Sequence, residues 1–169
     1  MSIEPWLRGP LEGVNPLVAP ILRALEQAQE DLNHHCAAMT DAEIWARPLG
    51  MTPLGFHLRH IAGSLDRLTI YLEGGQLGDA QFVFLRSEMD GGGTLQELLA
   101  LIGTSIARAS HAVRVLDPEV LASPRAVGRK HLPTTVIGLA IHLAEHTQRH
   151  VGQVIIYCNL LKVITGSTG

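Results

Sequence analysis

Three histidines recur at four-residue intervals, His142, His146 and His150, within I-H-L-A-E-H-T-Q-R-H-V-G-Q. Four residues of α-helix turn through about 400°, so each step moves the face by only about 40° and the three rings point roughly the same way. Two imidazoles at i and i+4 reach one metal ion, the geometry behind the helical zinc motifs. A single ion cannot use all three, because i to i+8 rises about 12 Å. The chelating pair is therefore His142–His146 or His146–His150. A further ligand must come from another element, and F-H-L-R-H offers His57 and His60.

Two readings compete for a histidine pair on a core-facing stripe. One is hydrogen-bonded core imidazoles; the other is a metal that compensates the burial of polar rings. On the histidine helix, Leu139, Leu143, Val154, Tyr157 and Leu161 fall on the side of His146 and His150, so these rings face the interior, with His142 at the edge of that face and Gln153 one turn beyond. On the other helix, His60 shares a semi-polar strip with Phe56, Ser64, Arg67 and Tyr71, beside the aliphatic stripe Leu54, Ile61, Leu65, Leu68 and Leu72. A ligand at the mouth of a cleft has that setting.

The elements that must position these residues are helices. Asn15-Pro16 reads as N-cap and N1 of a helix running through Leu32, and Thr52-Pro53 as the start of one reaching about Glu73, where Gly74-Gly75 ends it. Thr40-Asp41-Ala42-Glu43 and Thr94-Leu95-Gln96-Glu97 are capping boxes. The first opens a short helix ahead of Pro48; the second opens a long one ending near Asp117-Pro118. Pro133-Thr134 precedes the histidine helix, which runs to about Val163. Strand character is thin: the apolar run 81–85 is too isolated to build a sheet. The expectation is an all-α fold, an antiparallel four-helix bundle with one short extra helix and long crossover loops at 74–93 and 118–132. It forms one domain over 1–169, with a core at about 15–163 and a frayed tail at 166–169.

Composition limits the partners. The chain has 169 residues, 46% of them hydrophobic, and a formal charge of −3. Lys130 and Lys162 are the only lysines and no basic stripe forms, which argues against nucleic acid. No apolar run approaches the roughly 20 residues that span a bilayer. Cys36 and Cys158 form neither a CxxC nor a disulfide framework, and the N-terminus has no signal-peptide pattern. A soluble cytoplasmic protein is expected.

Three stretches, T-D-A-E-I-W-A-R-P, G-F-H-L-R-H-I-A-G-S-L-D-R and H-L-A-E-H-T-Q-R-H-V-G-Q, resemble the DinB-like (DNA-damage-inducible) family of helical-bundle metalloproteins. The resemblance spans residues from about 15 to about 160. It implies one divalent ion held by His60, His146 and His150, the last histidine followed by x-G-Q as in the family. Among the alternatives left by spacing, it selects His146–His150. The family more often has Arg where Val151 stands, so an anion contact from that position is not expected here. It also implies homodimers, and in some relatives transfer or isomerisation with a low-molecular-weight thiol such as bacillithiol, mycothiol or glutathione.

Three neutral imidazoles leave an ion its full charge and at least one open position, the form of catalytic rather than structural zinc sites. Such an ion lowers the pKa of a bound thiol or water. The first functional expectation is a metal-dependent transferase activating a low-molecular-weight thiol toward a small electrophile. The second is a hydrolase using metal-bound hydroxide, and the third a non-catalytic metal-binding stress-response protein. HExxH is absent, since Thr147 follows His146, and no paired E-x-x-H supports a di-iron centre. Three imidazoles suit zinc, nickel, copper, iron or cobalt, zinc and nickel being the first expectations. Gln153, Ser64, Arg67, Tyr71 and Arg149 are candidate supporting groups. His57 is a partner of a ligand or an exposed residue. His34, His35, His111 and His131 have no matching pattern and are read as structural.

Overall fold

The structure, a computed structural model, describes residues 3–166. Six α-helices appear in order: α1 Ala19–Cys36, α2 Asp41–Trp45, α3 Leu54–Leu72, α4 Asp79–Ser87, α5 Leu95–Arg114 and α6 Val136–Thr165, with a hairpin of β1 Pro124–Val127 and β2 Leu132–Thr135 before α6. The fold is the expected all-α bundle, built from α1, α3, α5 and α6. Both capping boxes form as read. Thr40 and Thr94 each accept from the N3 amide, and Glu43 and Glu97 reach back to the cap backbone.

Residue pairings fix the directions of the helices. His57 and His60 of α3 meet His150 and His146 of α6, so these two helices are antiparallel. Gln148 of α6 donates to the Ala24 carbonyl of α1, and the Cys36 and Cys158 side chains meet further along both helices, so α1 and α6 run the same way. Helices α3 and α5 also run the same way. Arg59 lies beside Gly93 just ahead of α5, and Arg108 near its end pairs with Asp66 and Glu73. Parallel neighbours require a crossover, which is why the 74–93 connection is long.

That connection carries α4. The run read as marginal strand is helical, with Phe82 and Phe84 half-buried and no side chain of Asp79–Ser87 fully buried. Polar clamps hold it. The Arg59 guanidinium donates to the carbonyls of Ser87, Asp90 and Gly92 at 2.9, 2.6 and 2.7 Å, and the Trp45 indole N–H donates to Gly93. The second long connection holds the hairpin, which the sequence did not announce. Its strands are four residues each, and the turn between them places Gly128 and His131 at positive φ.

Three helix starts differ slightly from expectation. Asn15 caps a turn, accepting from the Leu17 amide, and α1 proper begins at Ala19 with Pro20 in its first turn. Pro53 rather than Thr52 is the N-cap of α3, and Thr135 caps α6. Of the tail expected to fray, Gly166 caps α6 in the left-handed conformation, its N–H donating to the Lys162 carbonyl, and Ser167 to Gly169 lie outside the described residues.

The apolar side chains form two clusters. One joins Cys36, Ile44, Leu54, Leu58, Ile61, Leu65, Ile102, Leu143, Val154 and Tyr157; the other joins Val18, Tyr71, Leu72, Val113, Leu121, Val136 and Leu139. Leu68 packs against both. The Tyr157 hydroxyl ties α2 to α6, lying 2.9 and 2.8 Å from the carbonyls of Glu43 and Ala46. Among the described residues no helix is long and apolar enough to cross a membrane.

Candidate metal centre

Antiparallel packing of α3 on α6 brings His60, His146 and His150 together, each half-buried, with one ligand atom apiece all within 4.8 Å of one another. His60 Nε2 lies 3.0 Å from His146 Nε2. Two nitrogens on one tetrahedral zinc, at about 2.0–2.1 Å each, sit about 3.3 Å apart. The spacing and the donor chemistry therefore suit a single borderline cation. The Phe56 ring stacks on His60 at 5.4 Å and limits its swing.

The electrostatics favour free lone pairs. Burial, followed by the neighbouring His60, holds His57 and His146 below the ordinary imidazole range, and burial with the charges of His60, His146 and His57 pushes His150 down to about 4. Rings that stay neutral at pH 7 are ready ligands, because metal and proton compete for the same nitrogen.

Glu88, the residue that caps the C-terminus of α4, also reaches this site. One carboxylate oxygen accepts from His60 Nδ1 at 2.7 Å and the other from Arg67 at 2.7 Å, and the residue is only 2% exposed. Burial alone would raise its pKa; the hydrogen bonds and charges of His60 and Arg67 outweigh burial and hold it below the usual carboxylate range. No sequence signal points to Glu88, which lies 28 positions from His60 in a stretch without a motif.

The other candidates separate. His57 Nδ1 stands 3.1 Å from His150 Nδ1, so it is a hydrogen-bonded partner of the cluster. His142 lies outside the three-nitrogen group; it is exposed and binds Glu145 at 2.7 Å. Arg149 pairs with the same Glu145 on the surface. Gln153, expected on the histidine face one turn past His150, is exposed. Ser64 is buried and donates to the Ile61 carbonyl. His34 and His35 make a ring contact of 4.9 Å with each other, away from the cluster.

A cleft of about 310 Å³ opens beside His60 and His146, walled chiefly by Arg67, Leu68, Tyr71, Leu77, Phe82 and Leu85, with His142 at its rim. Arg129 lies over the Phe82 ring at 4.7 Å and has no ion pair among the described residues.

A family model described as the DinB superfamily matches residues 24–154. No protein of curated function matches the chain significantly. A solved structure, the crystal structure of the conserved protein of locus from Enterococcus faecalis, shares the fold with a TM-score of 0.68. It is 17% identical, over 83% of this chain and 94% of that one.

Proposed function

Since the chain belongs to the DinB superfamily, we propose that it binds one divalent ion through His60, His146 and His150 and transfers a low-molecular-weight thiol to a small electrophile. The observation that carries this reading is the group of three half-buried imidazoles beside a largely apolar cleft. An ion on three neutral ligands supplies an open position at which a thiol loses its proton near neutral pH. The chain's own residues do the rest. Phe56 keeps the His60 ring in place. Tyr71, Leu77, Phe82 and Leu85 exclude water and receive the apolar part of the electrophile. Arg129, beside Phe82 and without an ion pair among the described residues, suits the carboxylates that low-molecular-weight thiols carry.

Thiol transfer is favoured over hydrolysis because, among the described residues, no carboxylate near the site is free to act as a base. Glu88 has both oxygens engaged behind His60, and Glu145 is exposed and paired with His142 and Arg149. The test is elemental analysis of untagged protein beside single alanine variants. We expect about one zinc or nickel per chain, lost in His60→Ala, His146→Ala and His150→Ala and kept in His142→Ala and His34→Ala. Uptake that survives His150→Ala but not His142→Ala would transfer the site one turn back along α6. No uptake after incubation with either metal would end the reading. For the loaded protein, consumption of an electrophilic substrate should require an added thiol; turnover without one would replace transfer with hydrolysis.

A further inference from the structure

Glu88 is the one carboxylate among the described residues that is buried. Burying an ionised group is costly unless it is paired and hydrogen-bonded, so such a group needs a specific seat. That seat is formed by α3. Gly63 leaves a notch between His60 and Arg67, and a Cβ there would come within 2.6 Å of Glu88 Oε1, 2.7 Å of the Phe84 ring and 2.8 Å of the Arg67 guanidinium. The His60-x-x-Gly63-x-x-x-Arg67 spacing places all three on one strip of the helix, since three and seven residues return close to the starting face. The glycine makes room for the carboxylate, the arginine anchors one oxygen, and the second oxygen is left for His60 Nδ1. Arg59, gripping three carbonyls of residues 87 to 92, fixes the backbone that carries it.

A carboxylate has no hydrogen to give, so Nδ1 of His60 must donate to it. In the neutral ring the lone pair is then at Nε2, the atom facing His146 Nε2. We propose that Glu88 is the positioning residue of the metal centre, holding His60 in the tautomer and orientation in which Nε2 is its ligand atom. This inference rests on the metal-binding reading above. Carboxylates that accept from the outer nitrogen of a histidine ligand raise its basicity and fix its ring, and losing one typically costs 10–100-fold in metal affinity.

Glu88→Gln keeps the shape and removes the charge. An amide can satisfy Arg67 with its oxygen only by turning its NH2 toward His60, which drives the ring hydrogen to Nε2. Two readouts are taken together: zinc affinity by competition with a chromophoric chelator, and the His60 tautomer in the metal-free protein from long-range 1H–15N correlations. We expect Nδ1–H on His60 in the wild type. In the variant we expect a shift toward Nε2–H and a zinc dissociation constant raised 10–100-fold. Zinc affinity unchanged in the variant while the wild type binds would overturn the positioning role and leave the metal-binding reading intact. A wild type that takes up no zinc would overturn that reading, and the positioning role with it. Should the variant not fold, the wild-type spectrum decides: a hydrogen on Nε2 refutes the proposal, and one on Nδ1 supports it. A purely structural Glu88 would lower the melting temperature without moving the tautomer.

Discussion

Gly63→Ala separates the stability of the bundle from the integrity of the site. The added Cβ would stand 2.6 Å from Glu88 Oε1 and 2.8 Å from the Arg67 guanidinium, against an ordinary contact of 3.4 Å. Those atoms must retreat by about 0.6–0.8 Å to relieve the overlap. The carboxylate moves as a rigid unit, so a shift of that size stretches the 2.7 Å bond to His60 to about 3.4 Å, beyond hydrogen-bond range. Overpacking costs about 1–3 kcal/mol, while replacing glycine by alanine inside a helix returns about 1 kcal/mol. The net loss of stability is about 0–2 kcal/mol, or about 0–8 °C in melting temperature for a chain of this size. The site should suffer more, with zinc affinity falling 10–100-fold, about 1.4–2.7 kcal/mol. Melting is measured with a chelator present, so that bound metal does not contribute, and affinity by chelator competition. A variant that binds zinc as tightly as the wild type would refute the argument that the notch exists to seat Glu88.

Two further outcomes follow from the geometry. His150 titrates at about 4 in the folded chain against about 6.5 unfolded. The unfolded state therefore binds more protons between those values, and the metal-free protein loses stability as pH falls from about 6.5 to about 4. Denaturant midpoints across this window should fall more steeply in the wild type than in His150→Gln, and parallel curves would refute the assignment. Tyr157→Phe removes the hydroxyl shared by the carbonyls of Glu43 and Ala46. It should cost about 1–2 kcal/mol, seen as a melting temperature lower by about 2–8 °C, with metal uptake unchanged; reduced uptake would link α2 to the site.

What the sequence disclosed and what it hid divide along chain distance. Local rules worked where the partner lay within one turn. Both threonine capping boxes mark helix starts to the residue, and the i,i+4 histidines of α6 meet in the candidate site. Periodicity placed Leu139, Leu143, Val154, Tyr157 and Leu161 together, and all are buried. The errors arise where a distant segment decides. Residues 81–85 read as a marginal strand because four apolar residues in succession hide a helical period; packing on α3 makes them helix. Gln153 read as facing the site because helical angle alone does not reveal burial, and its side chain is exposed. Glu88 could not be selected in advance, because its role depends on Gly63 and Arg67, residues that carry no ligand signature of their own.

The way α4 is fastened separates how long an ion stays bound from how stable the bundle is. Arg59, Trp45, Gln81 and Glu88 attach this segment by hydrogen bonds and ion pairs, whereas α3 and α6 are joined by buried side chains. Segments held in this manner open locally at a free energy below that of global unfolding. Amides of residues 79–90 should therefore exchange with solvent well before those of α3 and α6. Each opening would withdraw the carboxylate behind His60 and bare the cleft, so the off-rate of an ion held as proposed is expected to follow this local event. A substitution that strengthens the α1–α6 core should raise the melting temperature and leave the residence time of the metal unchanged.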